Sequence, residues 1–81
     1  MSVLVEFFGV QRDIARTDKI NIPVGEAKFV RDVIAYIRKK YPELRLDEHA
    51  VLATVNHELA SLDKSLKAND VVCFLPPIGG G

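Results

Sequence analysis

The 81-residue sequence predicts an α+β domain in two layers, with one amphipathic helix packed on one face of a small mixed β-sheet. Three patterns carry this reading. Val3, Val5 and Phe7 alternate with Leu4, Glu6 and Phe8, the period of a strand with one buried face. Val30, Val33, Ile34 and Ile37 follow the i, i+3, i+4, i+7 spacing of a helix with one apolar stripe. Further short apolar alternations end the chain. The order is ββαββ, with a short return strand inserted before the last one.

In the first strand Glu6 marks the wetter face, so Val3, Val5 and Phe7 point to the core. Leu4 and Phe8 then fall on the outer face, an unusual place for large apolar side chains. Gly9 ends the strand. Residues 10–17 read as a mixed connection with a helical turn around 12–15. Ile20, Ile22 and Val24 alternate again, and Pro23 confines this second strand to a sheet edge or end. The two runs form a hairpin. The helix spans 29–41. Its start has no Ser, Thr, Asp or Asn cap. Its end is marked by Arg38, Lys39 and Lys40, which complement the helix dipole, and by Pro42. That basic cluster reads as a solvated helix end rather than a binding patch. Residues 42–49 are a polar connection. Val51, Ala53 and Val55 form the third strand, Asn56-His57-Glu58 a turn, and Leu59-Ala60 a short return strand. Leu62 and Leu66 pack beneath the following loop. Asn69-Asp70 is a turn signal. The final strand, 71–75, sets Val72 and Phe74 on one face and Cys73 and Leu75 on the other.

Eighty-one residues bound the chain to one domain. Eleven basic and eleven acidic side chains give a formal net charge of +0, which favours neither nucleic acid nor an acidic membrane surface. No apolar run approaches the roughly 20 residues of a membrane span. The N-terminus has no basic lead, so it does not read as a signal peptide, and a cytoplasmic location is expected. Cys73 is the single cysteine, so no internal disulfide can form.

Side-chain chemistry is sparse. His49 and His57 are not at metal-ligand spacing with each other or with Cys73, so no metal site is expected. Cys73 lies mid-strand and reads as a small packing residue. Ser61 and Ser65 lack any nucleophile motif, and the glycines precede no helix that could cradle phosphate. The informative stretch is the end of the chain. Residues 1–75 form the domain, and Pro76-Pro77-Ile78-Gly79-Gly80-Gly81 is a protruding tail. The two prolines end the ladder and stiffen the exit. Residues 78–81 reach about 13 Å when extended, at about 3.3 Å per residue. Such a tail fits a narrow channel in another protein. Its reactive group is the α-carboxylate of Gly81, a poor electrophile until activated, for example as an acyl-adenylate.

The stretch from Asp70 to Gly81 resembles the closing signature of the MoaD/ThiS sulfur-carrier family, D-x-V-x-F-x-P-P-V-x-G-G, and most of all its molybdopterin synthase small-subunit branch. The resemblance extends to Val55-Asn56-x-x-Leu59, to Phe7-Phe8 and to the total length. Gly79 departs from the usual Ala, Ser or Thr, and Leu75 from a common aromatic. The resemblance implies a ubiquitin-like β-grasp fold. It implies that an E1-like enzyme adenylates Gly81 with ATP and Mg²⁺, that a sulfur donor protein supplies the sulfur of a thiocarboxylate, and that the carrier docks on the synthase large subunit in a heterotetramer. The carrier itself binds no cofactor and is not an enzyme alone. Related branches serve thiamin or cysteine synthesis or tRNA thiolation, or modify proteins as ubiquitin does. In a β-grasp sheet the first and last strands are neighbours, which brings Phe8 and Leu75 together with Leu59 nearby. These three, with Pro76, Pro77, Ile78, Gly79 and Gly80, are the expected partner-binding residues.

Overall fold

The computed structural model describes residues 1–44, 46 and 51–75. Five strands form one sheet in the order β2-β1-β5-β3-β4. They are β1 (Ser2–Glu6), β2 (Lys19–Pro23), β3 (Leu52–Val55), β4 (Glu58–Ala60) and β5 (Val71–Leu75). The central β1–β5 pair is parallel and every other pair is antiparallel. This is the mixed sheet of a β-grasp domain, and the last strand sits in its middle.

The core follows the predicted periods. Val3, Val5, Phe7, Ile22, Ala53, Val55, Val72 and Phe74 are buried from the sheet side. Val30, Val33, Ile34 and Ile37 are buried from helix α2 (Val30–Lys40) and belong to the same cluster. Phe7 meets Tyr41 edge-to-face, with ring centroids 5.8 Å apart, so the end of α2 is tied to the end of β1. Leu66 and Leu46 close the cluster from the connections.

Two features differ from the expected outline. The helical turn expected around 12–15 is present and extends to a six-residue second helix, α1 (Val10–Ala15), which the order ββαββ does not count. Six residues hold too few apolar positions for a 3.6-residue period to declare itself. Gly9 makes the entry, at φ 56° and ψ −128°, a region essentially reserved for glycine. The uncapped start of α2 is capped after all, from inside the helix. The Asp32 carboxylate accepts the N–H groups of Phe29 and Lys28 at 3.0 and 3.1 Å. It satisfies donors left without intrahelical partners and places an anion at the positive end of the dipole. Arg38, Lys39 and Lys40 at the other end are exposed, with the Lys40 ammonium over the rings of Tyr36 and Tyr41.

The β3–β4 hairpin turns on two residues, Asn56 and His57, both at positive φ (53° and 72°). That is the geometry of a two-residue turn whose twist matches the strands it joins. The Asn56 side chain then crosses to β5. Its Nδ2 donates to Asp70 Oδ1 at 3.0 Å, and its Oδ1 accepts the Val71 N–H at 2.9 Å. Asp70 Oδ2 accepts the Lys67 N–H at 2.8 Å. Asp70 is the one buried charged residue among the described residues. The Lys67 N–H and the Asn56 amide hold its carboxyl below the usual range.

Asp70→Ala leaves both donors without their acceptor, so unfolding in urea should show a loss of about 1–3 kcal/mol. The pH dependence has a definite sign. A depressed folded pKa gives stability that is full above the ordinary carboxylate value of about 4 and is lost as pH falls through the folded value. The wild type should therefore lose stability in that acid window. Asp70→Asn should lose less there, and equal acid slopes for the two would refute the role assigned to the carboxylate.

Candidate functional site

The face of the sheet opposite α2 has no covering layer among the described residues. Strand register determines which side chains share it. Leu52 pairs with Leu75, Thr54 with Cys73 and with Leu59, and Cys73 with Glu6. Phe8 follows Glu6 by two positions, as Leu75 follows Cys73, so alternation brings Phe8 to the same end of the same face. The exposed fractions are 56% for Phe8, 71% for Leu59 and 37% for Leu75. All three residues expected here are exposed, and register sets Leu59 and Leu75 on this face.

A fourth belongs with them. Leu52 is 43% exposed, lies directly across from Leu75 and is diagonal to Leu59. It joins the two leucines into one apolar surface. A shallow groove lined by Leu52, Leu59 and Leu62 carries that surface to the β4 edge. Leu52 was legible in the sequence: it is the out-of-phase leucine between Val51 and Ala53, as Leu4 is between Val3 and Val5. Leu4 itself is only half-exposed, shielded between its neighbours β2 and β5.

Cys73 occupies the middle of this face, yet it is buried. Its Sγ lies 3.7 Å from Glu6 Oε1. Burial pushes the thiol up, a Thr54 hydrogen bond opposes this, and the neighbouring Glu6 charge adds to it. A thiol so placed stays protonated and is a poor nucleophile. Cys73 therefore acts by packing. His57 is exposed at the hairpin turn. Among the described residues no three His, Cys, Asp or Glu side chains gather as metal ligands, and no helix is long and apolar enough to cross a membrane. The chemistry expected of Gly81, and the contacts expected of Pro76, Pro77, Ile78, Gly79 and Gly80, lie outside the described residues, as does His49. Leu75, on the apolar face, is the residue from which that segment departs.

Comparison with known proteins shows that the ThiS family pattern matches residues 5–81. The chain belongs to the ThiS family. The match runs from β1 through the terminal glycines, so domain and tail are matched together. The Escherichia coli (strain K12) molybdopterin synthase sulfur carrier subunit is 34% identical over 83 residues, covering 98% of this chain and 99% of that one. Among solved structures, a Pyrococcus furiosus protein described as molybdopterin converting factor, subunit 1, superposes with a TM-score of 0.81. It is 34% identical, with 96% of this chain and 99% of that chain covered. A Helicobacter pylori chain, solved in a complex of subunits 1 and 2 of molybdopterin-converting factor, gives a TM-score of 0.67 at 28% identity over the whole of both chains. For a ThiS-family chain, the Asn56–Asp70 bonds give a structural meaning to two signature positions. They fasten the hairpin to the start of β5.

The exposure of the patch predicts that it can be charged without unfolding the domain. Leu59→Asp should shift unfolding free energy by no more than about 0.5 kcal/mol, and Phe8→Asp and Leu75→Asp should still melt cooperatively. Val72→Asp, on the opposite face of β5, should abolish the folded state. Circular dichroism melts separate these outcomes, and a collapse of Leu59→Asp would mean that the face assignment is off by one residue.

Proposed function

We propose that this chain is the sulfur-carrier subunit of a molybdopterin synthase and that its reactive group is the α-carboxylate of Gly81. The observation that carries this reading is a family match that continues through the terminal glycines of a chain whose described residues hold no assembled active site. The last described residue, Leu75, ends the central strand β5 and is partly exposed.

The chemistry has two displacements. The Gly81 carboxylate attacks the α-phosphorus of ATP, bound with Mg²⁺ on an E1-like partner. Pyrophosphate leaves and an acyl-adenylate forms. Hydrosulfide supplied by a donor protein then attacks the acyl carbon, the C–O bond to the phosphate breaks and AMP leaves, giving a thiocarboxylate; a donor persulfide would give an acyl disulfide, whose S–S bond a thiol reductant must then cleave. The charged carrier docks on the synthase large subunit in a cytoplasmic heterotetramer and gives up that sulfur toward the dithiolene of molybdopterin. The catalytic side chains belong to the partners. The carrier's contribution is delivery: glycine side chains leave the tail thin enough for a narrow channel, and the apolar face supplies the contact that holds it there. Phe8, Leu52, Leu59 and Leu75 form that contact.

Three results test the reading. Incubated with the activating enzyme, ATP, Mg²⁺ and a sulfur donor, the protein should gain the mass of one sulfur-for-oxygen exchange on Gly81. Deleting Gly81 should abolish the exchange and leave the melting temperature nearly unchanged. Gly80→Ala should slow it, because a methyl group narrows both the backbone freedom and the clearance of the tail. A mass change that appears instead as an adduct on lysines of other proteins would replace the carrier reading with that of a protein modifier. Sulfur delivered to an enzyme of thiamin or cysteine synthesis or of tRNA thiolation would move the chain to another carrier branch. Leu75→Asp and Leu52→Asp should weaken binding to the large subunit by more than about 1–2 kcal/mol in calorimetric titration, the range of a central apolar anchor.

A further inference from the structure

On the β3 side β5 is paired out to Leu75, opposite Leu52, but on the β1 side its last bond does not come from a strand. Along the parallel pair, the Leu4 N–H donates to the Asp70 carbonyl at 2.9 Å, and the pairing runs on to Glu6 opposite Cys73. Two residues further along, the same periodicity would bring the Phe8 N–H to the Phe74 carbonyl. The β1 strand has ended by then, and Gly9 turns the chain into α1. The missing donor is supplied by a side chain: Gln11 Nε2 on α1 donates to the Phe74 carbonyl at 3.0 Å, across 63 residues of sequence. The other end of that amide, Oε1, is buried and has no hydrogen-bond partner among the described residues.

We propose that Gln11 is a positioning residue for the tail, and that its amide fixes the Phe74 peptide and so the direction in which residues 76–81 leave the sheet. The inference rests on the carrier reading above. The physical link is short. The Phe74 carbonyl belongs to the peptide that joins Phe74 to Leu75, so its orientation sets the plane from which the exit starts. Small errors of placement at the reacting group are costly, on the order of a hundredfold in rate for 1 Å. A thioether of the same length would remove the Oε1 that has no partner among the described residues, but would leave the Phe74 carbonyl without this donor, two effects of opposite sign.

The test uses the full chain as wild type, Gln11→Met and Gln11→Lys, the last restoring a donor without the acceptor. Leu75 is paired with Leu52 of β3, so hydrogen exchange at its amide reads the latch, that is, how firmly the Phe74–Leu75 peptide is held between β3 and Gln11 in the free protein. Steady-state kinetics of thiocarboxylate formation with the activating enzyme read positioning. For Gln11→Met we expect Leu75 exchange faster by about fivefold, a kcat lower by about tenfold and a KM within about twofold of wild type, because the docking face is untouched. The melting temperature should stay within a few degrees, and Gln11→Lys should recover most of both losses. Unchanged Leu75 exchange in Gln11→Met overturns the latch. Faster exchange with an unchanged kcat overturns the positioning role. A large fall in melting temperature that Gln11→Lys does not reverse shows a structural residue and overturns the proposal. A wild-type chain that never acquires sulfur overturns the carrier reading instead, while the exchange measurement still decides the latch.

Discussion

The parallel pairing of β1 with β5 is the constraint on which the rest of the molecule depends. It joins the two ends of the described chain in the middle of the sheet, with β2 outside one strand and β3 outside the other. A final strand at the edge would fray with the terminus that follows it. Here the final strand has a neighbour on each side, and Val72 and Phe74 are sealed beneath α2. The body of β5 is therefore held on both sides, and at Leu75 the β3 pairing continues alone. The Asn56–Asp70 bonds secure the beginning of β5 and the Gln11 amide secures its end, so the strand is fixed at both extremities by side chains as well as by its ladders.

The same pairing organises the uncovered face. A parallel neighbour keeps side chains in step, so Glu6 lies beside Cys73, with the exposed Phe8 and Leu75 each two residues further along. The antiparallel β3 then adds Leu52 from the other side. The apolar surface is thus a consequence of register: moving β5 by one residue against its partners would turn Leu75 inward and Phe74 outward. Cys73 and Thr54 fill the floor between the large side chains, and the buried thiol contributes volume rather than reactivity.

Most of the fold was readable because strands with one buried face and a helix with one apolar stripe write their periods directly into the sequence. What escaped has a physical reason in each case. The α1 helix is too short to show a period, and its start depends on the unusual dihedrals of one glycine. The α2 cap was missed because the capping carboxylate, Asp32, sits three residues inside the helix rather than before it. Phase alone sets Phe8 and Leu75 on the outer face. Leu52 shares that outer phase, but it lies between Val51 and Ala53, whose alternation with Val55 marks the core face. Gln11 could not be found this way, since a single glutamine in a surface helix has no periodic signature, and its partner lies 63 residues away.

Among the described residues the sheet also has two open edges, β2 and β4, and their composition bears on how such a domain avoids pairing edge to edge with other chains. β4 is three residues long, too short to template a long foreign strand, and it begins with the exposed Glu58. On the far side, β2 carries the exposed Lys19 at one end and Pro23 at the other. Short length, charge and proline each discourage edge-to-edge pairing. The exposed leucines and Phe8 stand on the broad face, where attraction needs a partner of matching shape, and not along a rim where any extended chain could add itself. A protein can thus remain adhesive toward a few chosen surfaces without becoming a seed for aggregation.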